Sequence, residues 1–141
     1  MINKGEEQRA HLIMKLRGQG IRSSSVLSAI ESVPRDIFIE NALKNHAWEN
    51  VTLPIGEGQT ISQPFIVALM TTALNLSGKE IVLEIGTGSG YQASILSLLC
   101  RRVYTIERIK TLHEFSNKKF KELKLNNITT KFGNGSLGWP E

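Results

Sequence analysis

The chain has 141 residues, of which 40% are hydrophobic and 21% charged, and its formal net charge is +4. This length is enough for one domain with a hydrophobic core, and the composition is ordinary for a globular protein. No apolar run is long enough to suggest a membrane span. The single cysteine, Cys100, cannot form an internal disulfide, so it favours a reducing compartment, and we expect a cytoplasmic protein.

The charged residues point to neither a nucleic-acid partner nor a metal. Lysine and arginine are scattered, apart from a group of lysines over 118–124 that is typical of a solvated helix face. The three histidines are isolated and lack the spacing of metal ligands. We therefore expect no nucleic-acid partner, no membrane association and no metal site.

The first half of the sequence reads as helical. Apolar residues at helical spacing predict one helix over 6–18 and a second that follows Ser23 and stops at Pro34. A short helix around Asn41–Trp48 precedes a loop with a short strand over 50–63. The next helix begins with Pro64, which suits the first helical position, and runs to about Asn75. It is apolar around much of its circumference, so we expect it to be buried.

The second half alternates between short apolar runs and helical patterns. The predicted strands are Ile81–Ile85, which we expect to be buried, Val103–Ile106 and Ile128–Phe132, and the predicted helices are 91–100 and 109–124. This alternation is typical of a parallel sheet with crossover helices. The sequence therefore predicts an α/β protein with an N-terminal helical segment.

The strongest local signal is a glycine-rich loop that joins the first of these strands to the following helix. It contains Gly86, Thr87, Gly88, Ser89 and Gly90. Open α/β folds bind ligands at this end of the sheet, and glycines let a ligand approach the backbone. The third glycine comes one residue earlier than in the dinucleotide fingerprint, so a cofactor without a pyrophosphate fits better. A plain tight turn is the structural alternative.

Two glutamates flank this loop. Glu107 ends the next strand, where a carboxylate can accept hydrogen bonds from the ribose hydroxyls of an adenosine. Glu84 lies within an apolar strand, where a buried carboxylate needs a partner. The ammonium group of a methionine moiety would provide one. With a glutamate on each side, the loop is explained better by ligand binding than by a tight turn alone.

This constellation resembles the first half of a class I S-adenosylmethionine-dependent methyltransferase. More specifically, the segment Leu53–Pro64 is similar to one that marks protein-L-isoaspartate O-methyltransferases, and Val33–Phe38 and Ala47-Trp48 resemble the N-terminal region of that family. The match runs from about residue 8 to 141 and corresponds to the N-terminal two-thirds of a member. The implied fold is a Rossmann-like parallel sheet, truncated after its third strand. Residues 1–76 would be an N-terminal helical, substrate-side region, and 77–141 the first half of the cofactor-binding domain.

The resemblance also implies roles for individual residues. It implies methyl transfer to the free carboxylate of L-isoaspartyl residues in damaged proteins, by a full-length enzyme that acts as a monomer. Ser62 would orient that carboxylate, although by spacing alone it could equally cap the helix that begins at Pro64. Further cofactor contacts would come from Gln59, Thr60, Ile61, Arg108, Asn134 and Gly135. Asn134 stands where family members usually have aspartate, so it keeps an acceptor for the adenine amino group but gives up the charge.

Three other functions remain open on the sequence. One is a nicotinamide oxidoreductase, against which the glycine spacing argues. A second is a truncated fragment that binds the cofactor without catalysis. The third is a methyltransferase for another carboxylate or a small molecule, which the segment Gln59–Pro64 disfavours.

Overall fold

The computed structural model describes residues 1–140 and shows an N-terminal helical segment followed by a small parallel sheet with helices. The helices are α1 (Lys4–Gly18), α2 (Ser24–Ser32), α3 (Pro64–Leu74), α4 (Tyr91–Ser97) and α5 (Lys110–Glu122). The strands are β1 (Leu53–Gly56), β2 (Gln59–Ile61), β3 (Ile81–Ile85), β4 (Arg102–Glu107) and β5 (Ile128–Phe132). Within residues 1–140 no helix is both long and apolar enough to cross a membrane.

The predicted N-terminal helices are confirmed, and local side chains explain where they begin. A capping box starts α1, because the Asn3 side chain accepts from the Glu6 amide at 2.9 Å and the Glu6 carboxylate accepts from the Asn3 amide at 3.1 Å. At α2 the Ser23 hydroxyl is a simple N-cap, which accepts from the Val26 amide at 3.3 Å. The short helix predicted at Asn41–Trp48 is a 3₁₀ helix over Asn41–His46.

The segment over 50–63 forms an antiparallel hairpin of β1 and β2. Its turn has positive φ at three successive residues, including Glu57 at +56°, which a non-glycine residue seldom adopts. The hairpin tip is tied to α5, because the Thr111 hydroxyl donates to the Glu57 carboxylate at 3.0 Å. Ile55 reaches the glycine loop, where a Cβ on Gly88 would lie 3.7 Å from its Cδ1 atom. The hairpin therefore lies directly beside that loop.

The three remaining strands form the predicted parallel sheet, in the order β3-β4-β5. Its register places Glu84 opposite Thr105, so the two side chains share one face. Apolar residues of α4, α5 and β4 form a core against that face, among them Leu96, Phe120 and Val103. A larger core cluster joins α1, α2 and α3 and continues into α4.

The expectation that β3 is buried is wrong. Its residues Ile81, Leu83 and Ile85 are 55%, 44% and 53% exposed. The physical reason is that β3 is an edge strand of the sheet, and residues 1–140 leave the face that carries these three side chains uncovered. When both faces of a strand are apolar, the hydrophobic periodicity of the sequence does not show whether one face or both are covered in the fold.

The expectation that α3 is buried on most sides is also wrong. It buries one side through Val67, Ala68 and Thr71, but Met70 is 60% exposed and Leu74 51%. Both elements therefore present apolar side chains at the surface, and four of these, Met70, Leu74, Leu83 and Ile85, line one cleft. We call this surface the apolar face; it consists of Ile66, Leu69, Met70, Leu74, Ile81, Leu83 and Ile85.

We expect the 141-residue chain to self-associate through the apolar face. Exposed apolar area and an unpaired strand edge both favour association. Sedimentation velocity should show a concentration-dependent shift toward larger species, and Leu83→Lys should reduce it. The matched control is Met14→Lys, since Met14 is exposed on α1 and does not belong to this face. A single monomeric species at every concentration would contradict the prediction.

Candidate active site

The glycine loop connects β3 to α4 in the conformation that its sequence requires. Gly86, Gly88 and Gly90 have φ values of +92°, +58° and +93°, which side chains with a Cβ rarely tolerate. The amides of Gly86 and Thr87 donate to the Ile106 carbonyl oxygen at 2.8 and 3.2 Å, and the Gly90 amide donates to Thr87 at 3.0 Å. Because these N–H groups are already paired within the protein, the loop does not form a cradle of free donors for phosphate. This geometry supports a cofactor without a pyrophosphate.

Gly90 differs from the other two glycines in what it faces. A Cβ at this position would lie 2.9 Å from Phe120 Cε1 and 3.0 Å from Ser116 Cβ, both on α5. The third glycine therefore allows α5 to pack closely against the loop, and its positive φ completes the turn into α4. Its assignment as a cofactor contact stays a prediction.

Glu107 holds the glycine loop from the end of β4. One carboxylate oxygen accepts from the Gly88 amide at 2.9 Å, and the other accepts from the Ile109 amide at 2.8 Å. The residue is 5% exposed. Each oxygen has a second lone pair, so hydrogen bonds from a ribose are compatible with these contacts. The carboxylate thus has a structural role that the sequence did not reveal.

Glu84 takes part in a buried hydroxyl network. The Thr105 hydroxyl donates to its carboxylate at 2.7 Å, and Thr105 in turn pairs with the Thr87 hydroxyl at 2.6 Å. Burial raises the pKa of Glu84 to about 7; the nearby Glu107 carboxylate adds to the rise, and the Thr105 hydrogen bond opposes it. A carboxyl group poised in this way can give up its proton when a cation arrives.

The stability of the protein should fall as pH rises, because of Glu84. The folded-state pKa of about 7 lies above the ordinary value of 4.5, so the folded state holds the proton more tightly than the unfolded state. We therefore expect the free energy of unfolding to decrease by about 2 kcal/mol between pH 5 and pH 8. Urea denaturation across this range measures the slope.

The matched variant for this prediction is Glu84→Gln. Its amide can still accept from Thr105 but does not titrate, so the contribution assigned to Glu84 should disappear. The histidines are common to both proteins and cancel in the difference. A parent and variant with the same dependence on pH would show that Glu84 titrates normally.

The loop forms one wall of a cleft of about 470 Å³. This volume lies within the range of roughly 300–1,000 Å³ that is typical of small-molecule sites. The cleft brings together most of the predicted site residues: Thr60, Ile61, Ser62, Glu84, Gly86, Thr87, Gly88 and Ser89. These residues come from β2, the residue after it, β3 and the loop. The fold therefore brings part of the segment Leu53–Pro64, to which the family resemblance drew attention, next to the glycine loop, which its spacing marked as a ligand site.

Ser62 is exposed at this cleft and does not cap α3. The N-cap residue is Gln63, which makes no side-chain capping hydrogen bond. The Phe65 amide, near the start of α3, is instead satisfied by the Asn50 side chain at 2.9 Å. The capping alternative for Ser62 is therefore wrong, and its hydroxyl makes no hydrogen bond with residues 1–140.

Other predicted site residues lie away from the lining of this cleft. Gln59 is exposed on the hairpin, and Arg108 is exposed beyond the end of β4. Asn134 caps a short 3₁₀ helix by accepting from the Ser136 amide at 2.9 Å. Gly135 packs so closely on Ile85 that a Cβ there would collide with it. This contact places the end of β5 beside the strand that enters the glycine loop.

Sequence reasoning missed several residues of the cleft. Val67, Met70, Thr71 and Leu74 line it from α3, and nothing in their helical pattern distinguishes a cleft from a core. Thr105, which binds Glu84 without lining the cleft, was also missed; its polar side chain within an apolar strand was the signal that could have drawn attention to it.

Two solved structures share this fold. A solved structure described as protein-L-isoaspartate O-methyltransferase superposes with a TM-score of 0.86 at 27% identity, covering 94% of this chain and 44% of the other. A putative protein-L-isoaspartate O-methyltransferase from Plasmodium falciparum, solved with S-adenosyl-L-homocysteine, has a TM-score of 0.74 at 23% identity, covering 94% of this chain and 64% of the other. At 23% identity, the similarity to this second structure supports only the assignment of the fold. The fold is that of class I methyltransferases.

The sequence comparisons identify the family. The family model for protein-L-isoaspartate(D-aspartate) O-methyltransferase matches residues 7–141. A protein-L-isoaspartate O-methyltransferase of Parvibaculum lavamentivorans is 54% identical over 140 residues, and one of Dictyoglomus thermophilum is 53% identical over 136 residues. The alignments cover 99% and 96% of this chain but only 63% and 62% of those relatives. The chain belongs to the protein-L-isoaspartate(D-aspartate) O-methyltransferase family and spans less than two-thirds of the length of these members.

Proposed function

We propose that the cleft binds S-adenosylmethionine and that the protein transfers its methyl group to the free carboxylate of L-isoaspartyl residues in damaged proteins. Family membership supports the reaction, and one structural observation supports the site. The exposed Ser62 hydroxyl and the glycine loop line the same cleft, although 24 or more residues separate them in sequence. A substrate-orienting group and a cofactor loop have to meet in this way.

The residues of the cleft fit this cofactor. The amides of four loop residues, Gly86, Thr87, Gly88 and Gly90, are paired within the protein, which suits a nucleoside without phosphates. Glu84 lines the cleft with a carboxyl group whose pKa is raised to about 7, and the approach of an ammonium group would favour its ionised form. Glu107 is held just behind Gly88 and has lone pairs left for ribose hydroxyls.

The main task of the protein in this reaction is to align the methyl donor with the attacking carboxylate. When bound, S-adenosylmethionine supplies an electrophilic methyl group, which is transferred to a carboxylate oxygen as the carbon–sulfur bond breaks and its electron pair stays on sulfur. A carboxylate is already ionised at neutral pH, so no side chain has to remove a proton. The Ser62 hydroxyl donates a hydrogen bond that fixes the attacking carboxylate, and the loop fixes the other partner. Proximity and orientation then account for the rate.

The substrate is proposed to be a protein or peptide, with no nucleic acid involved. Full-length members would act as monomers. The lone cysteine, Cys100, is buried and unpaired with another cysteine, which suits action in a reducing cytoplasm.

A second candidate function is cofactor binding without catalysis by the 141-residue chain alone. Two observations favour this function: the chain spans only part of the length of its relatives, and its apolar face is exposed. In that case the remaining part of a full-length member would be needed for turnover. The experiment below separates the two.

The test is methyl transfer from methyl-labelled S-adenosylmethionine to an isoaspartyl peptide, with the matched aspartyl peptide as control. Two proteins are compared: the 141-residue chain, and a hybrid in which it replaces the matched part of the Parvibaculum lavamentivorans relative. We expect label on the isoaspartyl peptide alone, released by base as from an ester. Binding of S-adenosylhomocysteine with turnover only in the hybrid would assign the 141-residue chain to the second candidate. Equal labelling of both peptides would overturn the proposed substrate.

A further inference from the structure

Arg35 is the largest side chain that is fully buried. It begins the 3₁₀ helix Arg35–Phe38, and its exposed fraction is 0%. No carboxylate of residues 1–140 forms an ion pair with it. Burying a guanidinium group without a counter-charge is costly unless its donors are hydrogen-bonded. The hydrogen bonds of the guanidinium group therefore indicate the structural role of Arg35.

Both terminal nitrogens of Arg35 donate to backbone carbonyl oxygens. Nη1 donates to Ala47 at 2.7 Å and to Glu49 at 3.3 Å, and Nη2 donates to Val51 at 2.8 Å and to Ser62 at 3.2 Å. All four carbonyls lie outside helices and strands, where backbone acceptors have no regular partner. One planar guanidinium thus fastens the loop over 47–51 to the peptide of Ser62.

The same guanidinium also lies against the other wall of the cleft. Its Cζ atom is 6.0 Å from the ring centroid of Tyr91, at the limit of a cation–π contact. Tyr91 is the first residue of α4, directly after the glycine loop, and it lines the cleft. Phe38 packs edge-on against the same ring at 5.5 Å. Arg35 therefore contacts both the segment that carries Ser62 and the helix that follows the cofactor loop.

We propose that Arg35 is a positioning residue, which sets the Ser62 hydroxyl relative to the glycine loop by holding the Ser62 peptide and packing on Tyr91. This inference rests on the proposed function, because it assigns Arg35 a part in the same methyl transfer. Arg35 does not line the cleft itself and acts through Ser62.

The test compares Arg35→Lys and Arg35→Met in whichever preparation turns over in the assay above. Lysine keeps the charge but cannot offer two branches to separate carbonyls, and methionine keeps only bulk. We expect kcat per folded molecule to fall by about tenfold to a hundredfold in the methionine variant, as for a misplacement of about 1 Å. The lysine variant should recover part of this loss. The affinity for S-adenosylhomocysteine should change less than about threefold, since the glycine loop keeps its own hydrogen bonds.

Leu16→Ala is the stability control, because Leu16 is fully buried in α1 and belongs to the same core cluster as Phe38 and Tyr91. It should lower the melting temperature without lowering kcat per folded molecule. The proposal is overturned if Arg35→Lys and Arg35→Met retain the parental kcat, or if kcat falls in the same proportion as cofactor affinity. If the methionine variant does not fold, the kcat and the cofactor affinity of the lysine variant test the proposal by the same criteria.

A second readout does not depend on turnover. In ¹⁵N–¹H correlation spectra, Arg35→Lys should shift the amide of Gln63, which follows the held carbonyl, more than Leu16→Ala does. Equal shifts in both variants would overturn the positioning claim. An inactive parent with the expected Gln63 shift would instead place the failure with the proposed function.

Discussion

Replacing Ser62 with alanine is expected to lower the rate of methyl transfer by about tenfold to a thousandfold, as for the loss of other positioned hydrogen-bond donors. The hydroxyl is exposed at the cleft and makes no hydrogen bond with residues 1–140, so it is available to a substrate carboxylate. Stability should change by less than about 0.5 kcal/mol, because Ser62 is exposed and is not the N-cap residue of α3. Affinity for S-adenosylhomocysteine should stay close to the parental value. Single-turnover methylation, calorimetric binding and urea denaturation measure the three quantities.

Ser62→Asn provides the sharper comparison. Asparagine is a good helix cap, so a capping role would be retained, but its larger amide cannot place a donor where the hydroxyl was. We expect the asparagine variant to be as slow as the alanine variant. Ser28→Ala, which removes an exposed hydroxyl on α2, should leave the rate unchanged. Full single-turnover activity in either Ser62 variant would remove Ser62 from the reaction.

Replacing Glu107 with alanine should affect both stability and cofactor binding. The amides of Gly88 and Ile109 would lose their acceptor, at a cost of about 1–3 kcal/mol each if they stay buried. The free energy of unfolding should therefore fall by about 2–6 kcal/mol. Loss of the charged ribose acceptor should weaken S-adenosylhomocysteine binding by about 1.5–3 kcal/mol. Calorimetry on the folded fraction measures the second effect separately from the first.

Glu107→Gln distinguishes the two roles of this side chain. Its amide keeps one oxygen, which can accept from only one of the two amides, and loses the charge, so stability should fall less than in Glu107→Ala while cofactor affinity still falls. Glu122→Ala is the charge control, since it removes a carboxylate of α5 whose contact is an exposed pair with Lys119. Unchanged affinity in both Glu107 variants would mean that the carboxylate supports the loop and does not touch the ribose.

The family and the main elements could be predicted from local sequence because each depends on short-range chemistry. Positive φ at Gly86, Gly88 and Gly90 is required by the turn itself, so the glycine spacing is visible in the chain. The helix starts at Ser23 and Pro64 likewise follow from side-chain and backbone geometry within a few residues. The segment over 53–64 and the glycine loop were each recognisable alone, and the resemblance predicted that they belong to one site.

Burial and the detailed contacts of the site could not be predicted in this way, because they depend on neighbours that are distant in sequence. The run Ile81–Ile85 is apolar at four of its five positions, yet its exposure depends on the strand being at the edge of the sheet. The side-chain acceptor at the start of α3 comes from Asn50, 15 residues before Phe65, and not from the neighbouring Ser62 that the sequence suggested.

By itself the sequence determined the order of the main helices and strands, the turn of the glycine-rich loop and the family to which the chain belongs. Only the tertiary structure decided that Glu107 anchors Gly88, that Glu84 shares a hydroxyl network with Thr105, and that Arg35 holds the peptide of Ser62. The physical reason is that hydrogen bonds and desolvation act over a few ångströms. The groups that meet at that distance are 19, 21 and 27 residues apart in this chain.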